Sequence, residues 1–352
     1  MGNRQKQALE NVLNGCWGTI GPKSVSAAGL IARRVSGNYG LLTHSAFAAL
    51  EVMLRSLEVS YGDEVVAASY CDPIVPMAAA NVGVTPVFAD IDPDTAVISP
   101  ASASAKITGK TRAVIVDAPG GNPCDLYQLS ATCDENGVKL IINLGDGFDT
   151  AYNGVPAARY AWGTALDFSA GRAFSAGEGG AVIHNDKPAF VNTFARHNCG
   201  RAPGEGSTLV MDATIGGNMR IAEWQSALIE AGMDDLDKIL AERKERVLRV
   251  VDELECEWLA PVPVVNGGVS SRTSTIFRYR KDKHGGMPTD GAVAELRARG
   301  YGACRPWRAM HRQPVFSSPY FIKSTGHSGG YADAGLENSI AAEESLIWVK
   351  YE

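Results

Sequence analysis

The sequence lacks the features that mark membrane-spanning, secreted and metal-binding proteins. No run approaches the ~18 consecutive apolar residues that span a bilayer, and residues 1–15 lack the apolar stretch of a signal peptide. The seven cysteines form no CxxC pair and no closely spaced Cys/His set, which argues against a disulfide framework or a structural zinc site. Walker, HExxH and GxSxG motifs are absent as well. We therefore predict a cytoplasmic protein without a metal ion.

The sequence also lacks an excess of basic residues. It has 33 Lys and Arg against 39 Asp and Glu, a net charge of -6. Nucleic acids and anionic membranes attract basic surfaces, so neither is expected as a partner. The length of 352 residues is enough for one large domain and a smaller one.

Short apolar runs alternate with amphipathic helical segments through the first two thirds of the chain. This alternation predicts an α/β protein with a mostly parallel sheet covered by helices. Ligands of such sheets bind at the carboxyl ends of the strands, so we expect the site in the glycine-rich turns that follow several strands. The predicted helices are 46–57, 77–82 and 126–135, and the predicted strands are 64–68, 86–89, 113–116 and 139–142.

The character of the sequence changes after residue 220. A long, charged, amphipathic helical stretch covers 221–254, and a strand at 273–279 and a helix at 291–299 follow. We predict a large domain over 1–235 that holds the site, and a small C-terminal domain over 236–352. Periodicity does not name the reaction.

Six short motifs occur between about Asn14 and His311. They are YGDEVV at 61–66, GVTPVFADID at 83–92, SAGEGG at 175–180, RHNCGR at 196–201, GNMR at 217–220 and CRPW…HRQP at 304–314. In this order they resemble the nucleotide-sugar aminotransferases (the DegT/StrS group), and RHNCGR is close to a segment of the aminohydroxybenzoate synthase branch. The chain ends somewhat short of the usual C-terminus of that group, which leaves open whether the small domain is truncated.

This resemblance implies a fold and an assembly. The fold is the fold-type I, three-layer α/β sandwich of pyridoxal-phosphate transferases, with a mostly parallel seven-stranded sheet and a small C-terminal α/β domain. The assembly is a homodimer with sites at the interface, in which Asn218 of the GNMR loop reaches the partner subunit's site. The resemblance also suggests a natural-product, antibiotic-type pathway.

The resemblance implies pyridoxal phosphate, but two residues that would serve its chemistry differ. That chemistry needs a lysine amine for a Schiff base and an acidic group beside the pyridine nitrogen. Counting back six positions from Glu178 of the GEGG turn puts the lysine position at Arg172. A guanidinium stays protonated and cannot condense with an aldehyde. Asn143 stands where the resemblance places the pyridine-pairing aspartate, and a neutral amide supplies no charge.

The phosphate contacts implied by the resemblance differ too. Asp167 stands at the serine position five residues before Arg172, where a carboxylate repels phosphate. His44-Ser45-Ala46 replaces an SGT phosphate loop, and Asp146 replaces a His or Gln. We therefore expect no cofactor.

The residues that remain suggest an anion clamp beside a general base. Arg172 is expected among Asp146, Asp167 and Asn143, with an anion bound by the arginine and Asp146 or Asp167 acting as acid or base. The alternative is an internal salt bridge that fills the space of the lost cofactor. The candidate substrate-binding residues are Asn143, Tyr70 (at the ring-stacking position), His44, Asn218, Arg305 and His311. The alternatives are a turn residue for Asn143, a core aromatic for Tyr70, a surface residue for His44, and a packing role for Arg305 and His311.

Three functions follow from this interpretation. The first is an enzyme that works without pyridoxal phosphate on a small polar or sugar-like metabolite, as a transferase, lyase or isomerase. The second is a non-catalytic partner or scaffold that completes the site of an active aminotransferase, for example through Asn218. The third is a lysine-independent enzyme that still uses the cofactor in its pyridoxal or pyridoxamine form, which Asn143 and Asp167 disfavour.

Overall fold

A seven-stranded sheet forms the centre of the computed structural model, which describes residues 3–15, 18–204, 208–212, 214–327 and 329–350. Cys16, one of the seven cysteines, lies outside these residues. The strands are β1 (Tyr39–Thr43), β2 (Glu64–Ala68), β3 (Thr85–Ala89), β4 (Thr111–Asp117), β5 (Lys139–Gly145), β6 (Ala151–Tyr152), β7 (Val155–Pro156), β8 (Gly163–Asp167), β9 (Gly180–His184), β10 (Arg201–Pro203), β11 (Leu209–Met211), β12 (Leu259–Pro261), β13 (Gly268–Val269), β14 (Thr275–Tyr279), β15 (Gly302–Cys304) and β16 (Leu346–Lys350).

The central sheet has the order β1-β9-β8-β5-β4-β2-β3, and β9 alone runs against the other six strands. Strands β4, β5 and β8 are almost continuous apolar runs because both faces of the sheet are buried. Parallel strands end at one edge, which brings Asp117, Gly145 and Asp167 to the same side of the molecule. The predicted fold class is confirmed.

Helices cover both faces of this sheet. Two observed elements match the predicted bounds, the strand Glu64–Ala68 and the helix Leu126–Glu135. The helices are α1 (Asn3–Leu13), α2 (Pro22–Arg34), α3 (Ala46–Ser56), α4 (Ile74–Asn81), α5 (Pro100–Ala105), α6 (Leu126–Glu135), α7 (Lys187–His197), α8 (Glu223–Met233), α9 (Leu236–Leu254), α10 (Thr289–Ala298), α11 (Pro319–Thr325) and α12 (Glu337–Ser345).

The helices predicted at 46–57 and 291–299 differ from the observed ones by one or two residues at an end, and two others differ more. The helix predicted at 77–82 begins at Ile74, because Pro76 falls in the first turn, where its missing N–H breaks no helical hydrogen bond. The stretch 221–254 is two helices, α8 and α9, separated at Asp234 and Asp235. Aspartate favours helix ends over helix interiors, which accounts for the break.

The C-terminal part of the chain adds a four-stranded antiparallel sheet with the order β12-β14-β16-β15. One of its faces packs in a small apolar cluster that includes Leu259, Phe277 and Ile347. Trp348 belongs to the main core instead, so β16 contacts both parts. The domain boundary at 235/236 remains a prediction. Within the described ranges, no helix has the length and apolar character needed to cross a membrane.

Candidate functional site

A cavity of about 1130 Å³ opens between the carboxyl ends of the central strands, α9 and the C-terminal sheet. This is the edge at which parallel α/β sheets bind ligands. No group of His, Cys, Asp and Glu side chains in the described ranges is arranged to hold a metal ion. The lining includes Asp72, Asp146, Arg172, Arg243, Arg246, Arg297, Trp307, Trp348 and Lys350.

Arg172 lies in the loop after β8 and is paired with the carboxylate that ends that strand. Its Nε and Nη2 lie 2.7 and 2.5 Å from Asp167 Oδ2, and Asp167 also accepts hydrogen bonds from the backbone N–H and hydroxyl of Ser169. Burial disfavours the charge on Arg172, but Asp167 and Asp146 outweigh burial and raise its pKa. Arg172 is therefore a fixed cation that faces the cavity.

Asp146 connects Arg172 to a second arginine, Arg243 of α9. Its Oδ1 lies 4.0 Å from Arg172 Nη1, and its Oδ2 accepts hydrogen bonds from the Ala173 backbone and from Arg243 Nη2, both at 2.7 Å. Gly145, with φ of 58°, turns the chain after β5 and so aims Asp146 at both arginines. Arg243 Nη1 is buried and has no hydrogen-bond partner in the described residues.

Behind the cavity wall, Asn143 at the end of β5 contacts Asp117 at the end of β4. Asn143 Nδ2 donates to Asp117 Oδ1 at 2.7 Å, while its own Oδ1 is buried without a partner in the described residues. Asp117 Oδ2 accepts from the Asp72 backbone N–H at 2.9 Å. Burial and the nearby Asp72 carboxylate raise the pKa of Asp117 to about 8. Burial likewise raises the pKa of Asp72, which lines the cavity.

The architecture around this cavity has counterparts among known proteins. The sequence model of the DegT/DnrJ/EryC1/StrS aminotransferase family matches residues 1–330. The chain belongs to this family. It is 26% identical, over 338 residues, to a Streptomyces kanamyceticus protein to which an L-glutamine:3-amino-2,3-dideoxy-scyllo-inosose aminotransferase activity is provisionally attributed. That alignment covers 92% of this chain and 80% of the relative.

Solved structures of related proteins share the fold. A 3-amino-5-hydroxybenzoic acid synthase superposes with a TM-score of 0.89 at 23% identity, covering 99% of this chain and 91% of that one. DesI, crystallised with its TDP-sugar product, superposes with a TM-score of 0.85 at 22% identity, covering 99% and 84%. At these identities the likeness establishes the fold alone.

The nine candidate site residues predicted from the sequence fall into two groups in the structure. Arg172, Asp146, Asp167 and Asn143 lie together at the strand ends, as described above. Of these four, Arg172 and Asp146 line the cavity, and the other five candidates do not. They are Tyr70, His44, Asn218, Arg305 and His311.

Tyr70 lies in the core beneath the cavity. Its ring is packed edge-on against Trp307 at 5.5 Å, and its hydroxyl accepts a hydrogen bond from Trp348 Nε1 at 3.1 Å. Burial raises the pKa of this phenol. Trp307 and Trp348, rather than Tyr70, belong to the cavity lining.

His311 and Arg305 are engaged by other parts of the chain. His311 is buried, with Nδ1 2.5 Å from Ser69 Oγ and Nε2 3.0 Å from Asp333 Oδ1. Arg305 donates to Asp290 at 2.7 Å and to the Glu343 carbonyl oxygen. Both contact sets are typical of residues that hold loops together.

His44 and Asn218 lie on the surface loops next to β1 and after β11. The His44 side chain is exposed, and its backbone N–H donates to Met219 O at 3.0 Å. Asn218 Oδ1 accepts from Arg220 Nε at 2.8 Å. Any contact that these two make with a ligand therefore involves a site outside the cavity described here.

Three residues of the site are absent from the candidates predicted from the sequence: Arg243, Asp117 and Asp72. Arg243 had a detectable signal, because it continues the apolar stripe of α9 formed by Leu236, Leu240 and Val247, where a charge is unexpected. Asp117 and Asp72 come at or after the carboxyl ends of buried strands, where a site is expected. This position is a weaker signal, because it does not single out either carboxylate.

Proposed function

We propose that this aminotransferase-family protein works without pyridoxal phosphate on a small polar, sugar-like metabolite of an antibiotic-type pathway, with Arg172 in place of the catalytic lysine. The observation that carries the proposal is the pairing of Arg172 with Asp167 through both Nε and Nη2. A guanidinium forms no Schiff base, and this one is held at the strand end by its partner.

The phosphate group of the cofactor does not fit the residues present. Asp167 is buried, and both of its oxygens already accept hydrogen bonds from Ser169 or Arg172. A phosphate placed next to this carboxylate would be repelled. At the start of α3, Ser45 Oγ already accepts from the Ala48 N–H at 3.1 Å, so this amide is not free for a phosphate oxygen.

The pyridine ring fits no better. Asn143 holds Asp117 through its amide nitrogen, and the remaining Oδ1 can accept one hydrogen bond but carries no charge to keep a pyridine nitrogen protonated. Because the residues do not fit the cofactor, we assign the chemistry to the side chains themselves.

In the proposed reaction Arg172 binds an oxygen of the substrate and a carboxyl group moves a proton. Arg172 Nη1 can fill this role, because it lies 4.0 Å from Asp146, beyond hydrogen-bond distance, and has no hydrogen bond to another described residue. Asp146 and Asp167 each hold an arginine, so we infer that the acid–base group is Asp72, which lines the cavity and has a pKa raised by burial. Proton transfer of this kind serves an isomerase or a lyase.

A cofactor-binding experiment tests the proposal. The purified protein, mixed with pyridoxal phosphate and treated with borohydride, should stay colourless and gain no adduct mass. A reducible adduct, in particular one mapped to Lys350 in the same cavity, would overturn the proposal. As a matched control, the triple variant Arg172→Lys, Asn143→Asp and Asp167→Ser should gain the adduct, which verifies that the assay detects cofactor in this pocket.

We also infer a homodimer. Met211 and Ile215, in β11 and the loop after it, are 73% and 89% exposed, and Leu209 and Val210 beside them are half exposed. An apolar hairpin of this kind favours an interface over a solvated surface. The alternative is a complex with an active aminotransferase, which would use the same surface. Sedimentation of the purified chain distinguishes them, since a stable self-dimer argues against the scaffold function.

A further inference from the structure

The side of the cavity formed by α9, α10, β15 and β16 carries three cations, Arg246, Arg297 and Lys350, which we name the basic wall. No carboxylate of the described ranges forms an ion pair with any of them. Arg297 donates through Nε to the Ala303 carbonyl at 2.7 Å, which orients its guanidinium but does not neutralise it.

The basic wall is electrostatically connected to the Arg172 centre. Burial raises the pKa of Asp72, and both Arg172 and Lys350 oppose that rise by favouring its carboxylate. Burial also raises the pKa of the Cys304 thiol, again opposed by Lys350 and Arg297. Lys350 therefore acts electrostatically on both the Asp72 carboxyl and the Cys304 thiol.

The charges on the two sides of the cavity differ. Arg172 and Arg243 are compensated by Asp167 and Asp146, whereas the three cations of the basic wall are not. Glu242 also lines the cavity, where it forms an exposed pair with Lys238 at 3.9 Å, and Glu253 accepts from the Tyr301 hydroxyl at 2.8 Å. The three cations of the basic wall therefore share the cavity with one carboxylate of α9. Like charges that share one cavity repel each other until an anion binds between them.

We propose that the basic wall binds the phosphate group of a phosphorylated, sugar-like substrate whose polyol end reaches Asp72 and Arg172. This rests on the proposed function. A phosphate monoester is a dianion with oxygens that match the fork of an arginine, so it suits two guanidinium groups and an ammonium better than a monocarboxylate does. The cavity of about 1130 Å³ has room for a sugar phosphate, and Trp307 and Trp348 form part of its lining.

Calorimetric titration of the full-length protein with glucose 6-phosphate tests the proposal, with glucose and quinate as the neutral and carboxylate analogues. We expect binding of the phosphate ester, weakened by added inorganic phosphate, and no comparable binding of glucose or quinate. Equal or tighter binding of quinate would overturn the assignment to phosphate.

Single variants then test the wall itself. Arg246→Gln, Arg297→Gln and Lys350→Gln should each weaken binding about 10- to 100-fold, the usual loss for a charge-assisted hydrogen bond. Lys244→Gln is the matched control: it removes the same charge from an exposed position two residues from Arg246, on another face of α9. Unchanged affinity in all three wall variants would refute the site. A cofactor adduct with normal phosphate affinity would refute only the proposed function.

Discussion

Replacing Arg243 with methionine should destabilise the protein, although no ligand contact has been assigned to this side chain. Arg243 and Asp146 are 10% and 3% exposed, and Arg243 Nη2 donates to Asp146 Oδ2 at 2.7 Å. The variant leaves the Asp146 carboxylate buried without its main counter-ion. Breaking a buried ion pair on one side usually costs about 3–5 kcal/mol.

The structure places the expected cost at the lower end of this range. The Ala173 N–H still donates to Asp146 at 2.7 Å, and Arg172 Nη1 remains 4.0 Å away. Methionine also keeps most of the apolar contacts of the arginine stem. We therefore expect a loss of about 3 kcal/mol in the free energy of unfolding.

A double-mutant cycle isolates the ion pair. Asp146→Asn should be destabilising by itself. The double variant Arg243→Met, Asp146→Asn should lose about 2 kcal/mol less than the sum of the two single losses, because no unpaired charge remains. The free energies come from urea unfolding followed by tryptophan fluorescence. Coincident unfolding curves by circular dichroism check that one transition is measured.

An exposed ion pair at the start of α9 serves as the control. Arg4 lies 3.1 Å from Asp235, but the two side chains are 65% and 52% exposed. Arg4→Met should therefore change stability by less than about 0.5 kcal/mol, the usual value for solvated pairs. If Arg243→Met costs no more than this control, the buried network does not stabilise the fold and the reasoning fails.

Three further predictions follow from the same contacts. Asp117→Asn should flatten the decline in stability between about pH 5 and pH 8, measured as urea midpoints. Burial and Asp72 raise the pKa of the wild-type carboxyl to about 8, so in this range the folded protein holds a proton that the unfolded chain has lost. Wild-type stability therefore falls as pH rises. Parallel stability profiles of the variant and the wild type would contradict this. Tyr70→Phe should cost about 1–2 kcal/mol, because Trp348 Nε1 loses its acceptor, yet should leave sugar-phosphate affinity unchanged in calorimetry. Ile215→Asp should shift the sedimentation of the chain from dimer to monomer, and a persistent dimer would locate the interface elsewhere.

The fold could be predicted from the sequence because the pattern of apolar residues is local to each element. The apolar run at Glu64–Ala68 and the helical spacing at Leu126–Glu135 each specify an element with little reference to the rest of the chain. The break between α8 and α9 was missed, since the apolar stripe continues across Asp234 and Asp235 and suggests a single helix.

The site could be predicted only in part, because some of its residues lie far apart in the sequence. Arg172 and Asp167 are five residues apart in one strand-to-loop segment, so a motif that locates one locates the other. Arg243 reaches Asp146 from 97 residues further along the chain, and Lys350 comes from the last described strand. Periodicity describes which face of an element is buried, but not which distant charge lies opposite it.

The contacts of Arg172 bear on the proposal that this arginine and its neighbours changed together. A serine at the position of Asp167 would leave the Arg172 guanidinium without its main counter-ion, at a site where burial opposes its charge. A glutamine at the position of Asp146 would do the same to Arg243, whose Nη1 already lacks a partner in the described residues. A lysine placed at position 172 alone would leave Asp167 facing the compact charge of a flexible side chain in place of the planar guanidinium. Arg172, Arg243, Asp146 and Asp167 therefore form one electrically balanced unit, and under the proposed function we expect that cofactor binding would require changing several of them at once.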